Sequence, residues 1–365
     1  MKTSGLVQGS PTVAECIARP DNNFTIIRLG LALAVVVSHA FSVTTGIVEN
    51  EPLVRSTGFT LGEHAVNGFF AISGFLVTMS FDRRGWRDYA LARSMRIAPG
   101  LIVATLVVAF VFGGFMTRLP LSQYLADSGL WRFVWATLTS FKSNITMPGV
   151  FEGNPFRFPI GTVWTLKYEV FCYAGVLLAG LAGLIRSRYA ALALVAGLSL
   201  ALAGIDLAWP GAPKGVETAL RLPLIFAFGA ALYVWRHKAL ISGPLLLVLV
   251  TSTALADGTF LYKTLLFVAT AYGVLWLALS PVLTRFSYEP AGDLSYGTYL
   301  YGWPVQQTLV SLFPAASALA LLGPAVAVTL AIAALSWILV EKPALALKAR
   351  TLGRRTLKTI EPAAP

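Results

Sequence analysis

Residues 24–45 read FTIIRLGLALAVVVSHAFSVTT, an apolar run in which Arg28 and His39 are the titratable side chains. A helix that spans a bilayer needs about 20 mostly apolar residues, and this run supplies them. Ser38-His39-Ala40 loosely resembles the cleavage site of a secretory leader. The apolar stretch carries on past it and many similar runs follow, so the segment is read as a retained span.

The same criterion, carried outward, predicts about ten spans: roughly 24–45, 64–81, 96–115, 163–184, 188–209, 217–236, 238–256, 260–283, 293–313 and 317–340. Composition agrees. Of 365 residues 56% are hydrophobic and 12% charged, with mean hydropathy +0.71, against about 25% charged in ordinary soluble domains. So few charges cannot cover a soluble surface of this size. The expected fold is all-α, a polytopic integral membrane bundle of about ten transmembrane helices. One membrane domain, 24–343, lies between an N-terminal tail, 1–23, and a basic C-terminal tail, 344–365.

Orientation follows from Lys and Arg in short loops. Arg83, Arg84, Arg87, Arg93 and Arg96 follow the second span, Arg186 and Arg188 the fourth, and Arg236 and Lys238 the sixth. Lys342, Lys348, Arg350, Arg354, Arg355 and Lys358 lie at the C-terminus. These fall on one side if both termini are cytoplasmic. The first of the alternate loops carries Glu49, Glu51 and Glu63. The net charge of +11 thus reflects loops beside a membrane, and no basic face interleaved with aromatics points to nucleic acid. Cys16 and Cys172 lie too differently to form a disulfide, and three histidines without a His/Cys cluster predict no metal site. The connection 116–162 is the longest. Its stretch from Tyr124 to Phe141 is amphipathic, with Trp131 and Trp135 as interfacial anchors.

Charge inside a span costs roughly 2.5–3.5 kcal/mol on insertion scales, so such residues nominate sites. Arg28 and His39 are 11 positions apart, close to three turns at about 3.6 residues each, and therefore on one face roughly 16 Å apart. Taken singly, Arg28 fits a snorkelling boundary residue and His39 fits either a buried structural histidine or a base. Glu169, about one turn into the fourth span, lies at a similar depth to His39. It suits an orienting partner for the imidazole or a structural partner of Lys167 or Arg28. Arg93 and Arg96, three apart at a helix entrance, suit a phosphate-bearing ligand or plain positive-inside charge. In residues 67–75, NGFFAISGF, the small side chains of Gly68, Ser73 and Gly74 suit close helix packing. Residues 296–304, YGTYLYGWP, form an aromatic run with a proline kink.

Together these residues resemble the membrane acyltransferase-3 family, whose members O-acetylate bacterial polysaccharides, lipopolysaccharide, Nod factors and some antibiotics. The likeness runs over about 22–343 and keeps the family's order. It takes in Arg28 and His39 with ten residues between, the segment 66–75, the basic segment 93–99, Trp164-Thr165-Leu166-Lys167-Tyr168-Glu169, Ser295 to Tyr301, and Glu341-Lys342-Pro343. Asn67 stands where many members have an acidic residue, and Gly302 where many have a histidine. The resemblance implies an integral inner (plasma) membrane O-acyltransferase with His39 and Glu169 as catalytic residues. Arg28, Arg93, Arg96, Trp164, Ser73 and Tyr301 are implied as donor or substrate contacts. It implies no permanently bound cofactor, acetyl-CoA or another acyl-CoA as co-substrate, and a carbohydrate acceptor such as exopolysaccharide, lipopolysaccharide or a lipid-linked oligosaccharide. The alternative is a transporter or glycan flippase without acyl-transfer chemistry. It explains the spans and buried charges, but not the base and carboxylate at one depth.

Overall fold

The computed structural model describes residues 10–286 and 292–347. Most of the C-terminal basic tail, including Lys348, Arg350, Arg354, Arg355 and Lys358, lies outside the described residues, as does the start of the N-terminal tail. Each of the ten predicted segments is helical. In chain order they are α1 (Phe24–Thr45), α2 (Leu61–Arg84), α3 (Trp86–Leu106), α4 (Leu166–Leu181), α5 (Arg188–Ala208), α6 (Lys214–Val234), α7 (Gly243–Leu255), α8 (Tyr262–Leu279), α9 (Ser295–Leu312) and α10 (Ala318–Ser336). No strand occurs among the described residues, only isolated bridges at Thr12–Leu240 and Thr117–Val150.

Among the described residues seven helices are long and apolar enough to cross a membrane: α1, α2, α3 counted to Met116, α5, α6, α8, and α10 counted to Leu347. The other three differ for physical reasons. α4 has 16 residues and α7 has 13, while α9 carries Ser295, Thr298, Gln306 and Gln307 along its length. α3 begins ten residues earlier than hydropathy places it, so Arg87, Arg93 and Arg96 stand on a helix and not in a loop. Gly85 alone separates α2 from α3, at φ +79°, a left-handed conformation that glycine adopts without steric cost.

The chain divides into two compact units. The first comprises Met1–Ile27, Asn67–Arg83 and Ala174–Pro290. Within it α2 and α6 approach to backbone contact. A Cβ on Gly74 would stand 2.0 Å from the Phe226 carbonyl oxygen, and one on Gly229 would stand 2.1 Å from that of Ala71. Small residues permit this approach, the usual device where helices associate in lipid. Ser73 lies beside Gly74 in this packed segment and is partly buried. Asp82 gathers Arg186 at 2.9 Å, the Tyr233 hydroxyl at 2.9 Å and Arg236 at 3.6 Å. A second knot joins Lys263 to Asp206 at 2.7 Å and to Glu217 at 3.2 Å.

The second unit comprises Arg28–Val66, Arg84–Tyr173 and Ala291–Pro365. α1 and α9 run side by side in the same direction, because Arg28 meets Asp293 ahead of α9, and His39, eleven residues on, meets Trp303, ten residues on. The Gln306 amide, one turn past Trp303, donates to the Val36 carbonyl at 2.7 Å. α3 passes into a π-helical segment, Val107–Phe112, and α10 into another, Trp337–Glu341. At the first, the Tyr124 hydroxyl donates to the Ala109 carbonyl at 2.6 Å. The 116–162 connection forms the helices Leu121–Ala126 and Ser128–Ser140. Asp127 breaks and caps the run, its side chain accepting from the Gly129 N–H at 2.7 Å. As the amphipathic pattern predicts, Leu130 and Phe133 are buried, while Trp131 and Trp135 are 53% and 72% exposed.

Candidate active site

α1 carries Arg28 near its start and His39 in its last third. Both face α9 and the residues that lead into it, so the shared face predicted from the 11-residue spacing is the one the fold uses.

At the Arg28 end a single carboxylate oxygen takes two guanidiniums. Asp293 Oδ2 accepts from Arg28 Nη1 and from Arg96 Nη2, each at 2.8 Å. Asp293 Oδ1 accepts from the backbone N–H of Ser295 at 3.2 Å and from its hydroxyl at 2.5 Å. Asp293 lies in the connection ahead of α9. Burial pulls its carboxyl group up, but the Arg28 and Arg96 charges and the Ser295 bonds outweigh that and hold it well below the usual carboxylate range. Arg96 also lies over the Tyr296 ring, 5.7 Å from its centroid.

Arg93, one helical turn before Arg96, has no such partner. No carboxylate stands within ion-pair distance of it among the described residues. Its Nε is buried without a hydrogen bond, and its guanidinium lies over the Tyr173 ring, 5.6 Å from the centroid. The Tyr173 hydroxyl donates to Glu169 Oε1. Glu169 therefore belongs to the arginine end, bound by the tyrosine on which Arg93 lies. Among the described residues no hydrogen bond joins Glu169 to the His39 ring, and no ion pair joins it to Lys167, which lies over the Tyr168 ring at 4.8 Å. Glu341, in the π-helical segment after α10, is 4% exposed. It accepts from the Ser336 hydroxyl at 3.2 Å through Oε1, and its Oε2 is buried without a partner.

At the other end His39 is partly buried and meets Trp303 edge-on, ring centroids 5.0 Å apart. Trp303 is held in turn. Its indole N–H donates to the Phe158 carbonyl at 3.0 Å, and Phe158 stacks on it at 5.0 Å with an 11° tilt. Gln307 and Asn154 anchor the same loop, the Asn154 amide donating to Gln307 Oε1 at 2.7 Å. The carboxylate whose charge acts on His39 is Glu51, from the connection after α1. Glu51 is 5% exposed and accepts from the Ser38 hydroxyl, which itself accepts from the Gly62 N–H at 2.8 Å.

The remaining predicted contacts are dispersed. Trp164 lies in a short turn, Val163–Thr165, ahead of α4 and meets Tyr168 edge-on at 6.1 Å. Tyr301 is 2% exposed, with the Glu341 charge acting on it. Ser73 lies in the first unit. The structure thus gathers Arg28, Arg93, Arg96 and Glu169, and sets His39 apart at the other end of α1. Sequence reasoning missed Asp293, Tyr173, Trp303 and Glu51 as parts of these clusters. Asp293 carried one available signal, a carboxylate two residues before a segment already singled out. Glu51 entered only as a loop charge.

Among the described residues no group of three or more His, Cys, Asp and Glu side chains could hold a metal ion. Comparison with known proteins returns one family, described as an acyltransferase domain, matched over residues 21–341. Nodulation protein 10 of Rhizobium leguminosarum bv. viciae is 30% identical, over 92% of this chain and 96% of its own. An O-acetyl transferase of Shigella phage Sf6 is 26% identical, over 88% of this chain and 95% of its own. No solved structure matches.

Proposed function

This chain belongs to the acyltransferase family that matches it over residues 21–341, and from that premise we propose that it moves an acetyl group from cytoplasmic acetyl-CoA to a carbohydrate hydroxyl across the plasma membrane. One observation carries the reading. A single apolar helix, α1, holds an arginine cluster at one end and a histidine at the other, roughly 16 Å apart by helical rise. Phosphates belong with the arginines, and the reacting thioester belongs with the base.

Both termini lie in the cytoplasm in this reading, which puts Arg28, Arg93 and Arg96 on the donor's side. Arg93 is the guanidinium with no internal carboxylate, so it takes a donor phosphate directly, with charge-assisted hydrogen bonds. Arg28 and Arg96 add field while tethered to Asp293. The pantetheine arm reaches along α1 toward His39. There the sugar hydroxyl attacks the thioester carbonyl carbon as His39 takes its proton. The tetrahedral intermediate collapses with loss of the CoA thiolate, which leaves with that proton as the free thiol. Exopolysaccharide, lipopolysaccharide or a lipid-linked oligosaccharide supplies the acceptor.

The test uses inside-out membrane vesicles that contain the protein and radiolabelled acetyl-CoA. Label is expected in envelope carbohydrate, and absent from it in vesicles lacking the protein. Equal labelling of both preparations, or label confined to free acetate, overturns the proposal.

A further inference from the structure

We infer that Glu51, and not Glu169, is the carboxylate that supports His39 when the imidazole takes up a proton. This rests on the reading of His39 as the base given above. Glu51 is 5% exposed, and a carboxylate so deep is costly to keep charged without an opposite charge. Yet no Lys or Arg stands within 4.0 Å of it among the described residues, whereas Asp293 at the Arg28 end takes two guanidiniums at 2.8 Å each.

What Glu51 has is a fixed position. The Ser38 hydroxyl donates to its Oε2, and the Gly62 N–H donates to that hydroxyl at 2.8 Å. Both functions of the serine are therefore spent on holding the carboxylate. A Cβ on Gly62 would stand 3.3 Å from Ser38 Oγ, so the close approach of the first turn of α2 to α1 is built into the choice of glycine. Ser38 immediately precedes His39 on α1. Anchoring Glu51 to Ser38 ties its carboxylate to the residue that adjoins His39 on α1, without an ion pair to the histidine. Coulomb attraction falls only inversely with distance and is weakly screened in a buried setting. The opposite charge that Glu51 lacks at rest is the imidazolium formed during transfer. That charge exists only as His39 takes the hydroxyl proton, so the stabilisation is greater in the transition state than in the ground state.

Glu169 is placed for other work. Tyr173 binds it, and the Arg93 guanidinium lies over that tyrosine ring.

The experiment measures label transfer from acetyl-CoA in the same vesicles, with CoA binding to purified protein by calorimetry. Glu51→Gln is expected to lower kcat by about 10- to 100-fold, leaving the KM for acetyl-CoA and the Kd for CoA within about twofold, since the charge acts mainly in the transition state. Glu51→Asp should recover part of kcat, and Ser38→Ala should lose part of it. Glu169→Gln should move the donor KM more than Glu51→Gln does. Unchanged kcat in Glu51→Gln overturns the inference. So does a fall in protein level with normal specific activity in both Glu51→Gln and Ser38→Ala, which would make the network structural. Absence of transfer by the unmodified protein would instead sink the acyltransfer reading itself, so the two failures are distinguishable.

Discussion

Arg28, Arg93 and Arg96 look alike in the sequence and differ in the structure. Two share one oxygen of Asp293, and the third has a buried, unpartnered Nε. A charge-assisted hydrogen bond is worth about 1.5–3 kcal/mol, so Arg93→Ala should raise the donor KM about 10- to 100-fold while kcat falls less. Arg93→Lys should restore only part of the affinity, because lysine lacks the planar fork. Steady-state kinetics at varied acetyl-CoA separates these outcomes, and an unchanged KM would leave Arg93 a mere topology signal. His39→Ala should lower transfer by about 10²–10⁴, the usual cost of deleting a general base, with membrane insertion intact. Near-normal acetylation in a well-expressed variant would remove His39 from the chemistry. Glu51 was not singled out beforehand because the insertion cost flags only charges within apolar runs, and it lies in a connection, where a carboxylate is ordinary until the fold buries it. Asp293 stood at the first position of the predicted span 293–313, where a boundary charge is ordinary too, and the structure leaves it just ahead of α9.

Helix contacts explain one departure from the family pattern. A Cβ on Gly302 would stand 2.7 Å from Val36 Cγ2, so α1 and α9 close over the place where many acyltransferase-3 sequences carry a histidine. Gly302→His should therefore overpack this seam, at about 1–3 kcal/mol, and lower the melting temperature of the detergent-solubilised protein. An unshifted melting curve would show that the seam relaxes freely. The π-helical segment of α3 makes a second case. There Tyr124 reaches from a separate short helix to the Ala109 carbonyl, a group that the wider helical turn leaves open. Tyr124→Phe should cost about 1 kcal/mol, read as a small loss in melting temperature. Hydropathy marked α3 as apolar, but it missed both the early start at Trp86 and the π turn, since neither alters the count of apolar residues.

For the whole molecule, the ten-span reading with both termini cytoplasmic predicts alternating sides for successive connections. Fusions that report cytoplasmic or external location should read cytoplasmic at 85, 187 and 237, and external at 142, 210 and 258. A reversed reading at 85 and 142 would place the arginine cluster away from the donor and defeat the proposed division of labour along α1.

The sequence by itself determined the membrane class, the ten helical segments and the family. These depend on composition, run length and motif order, which are local or additive properties of the chain. Spacing along one helix also placed Arg28 and His39 on a common face, because helical geometry is periodic. Which carboxylate serves which cation was decided only in the tertiary structure. Run length suggested a similar depth for Glu169 and His39, yet it says nothing about rotation around a helix axis or the path of a connecting loop. Those two variables bring Asp293 to Arg28 and Arg96, Tyr173 to Glu169, and Glu51, through Ser38, to the side of His39.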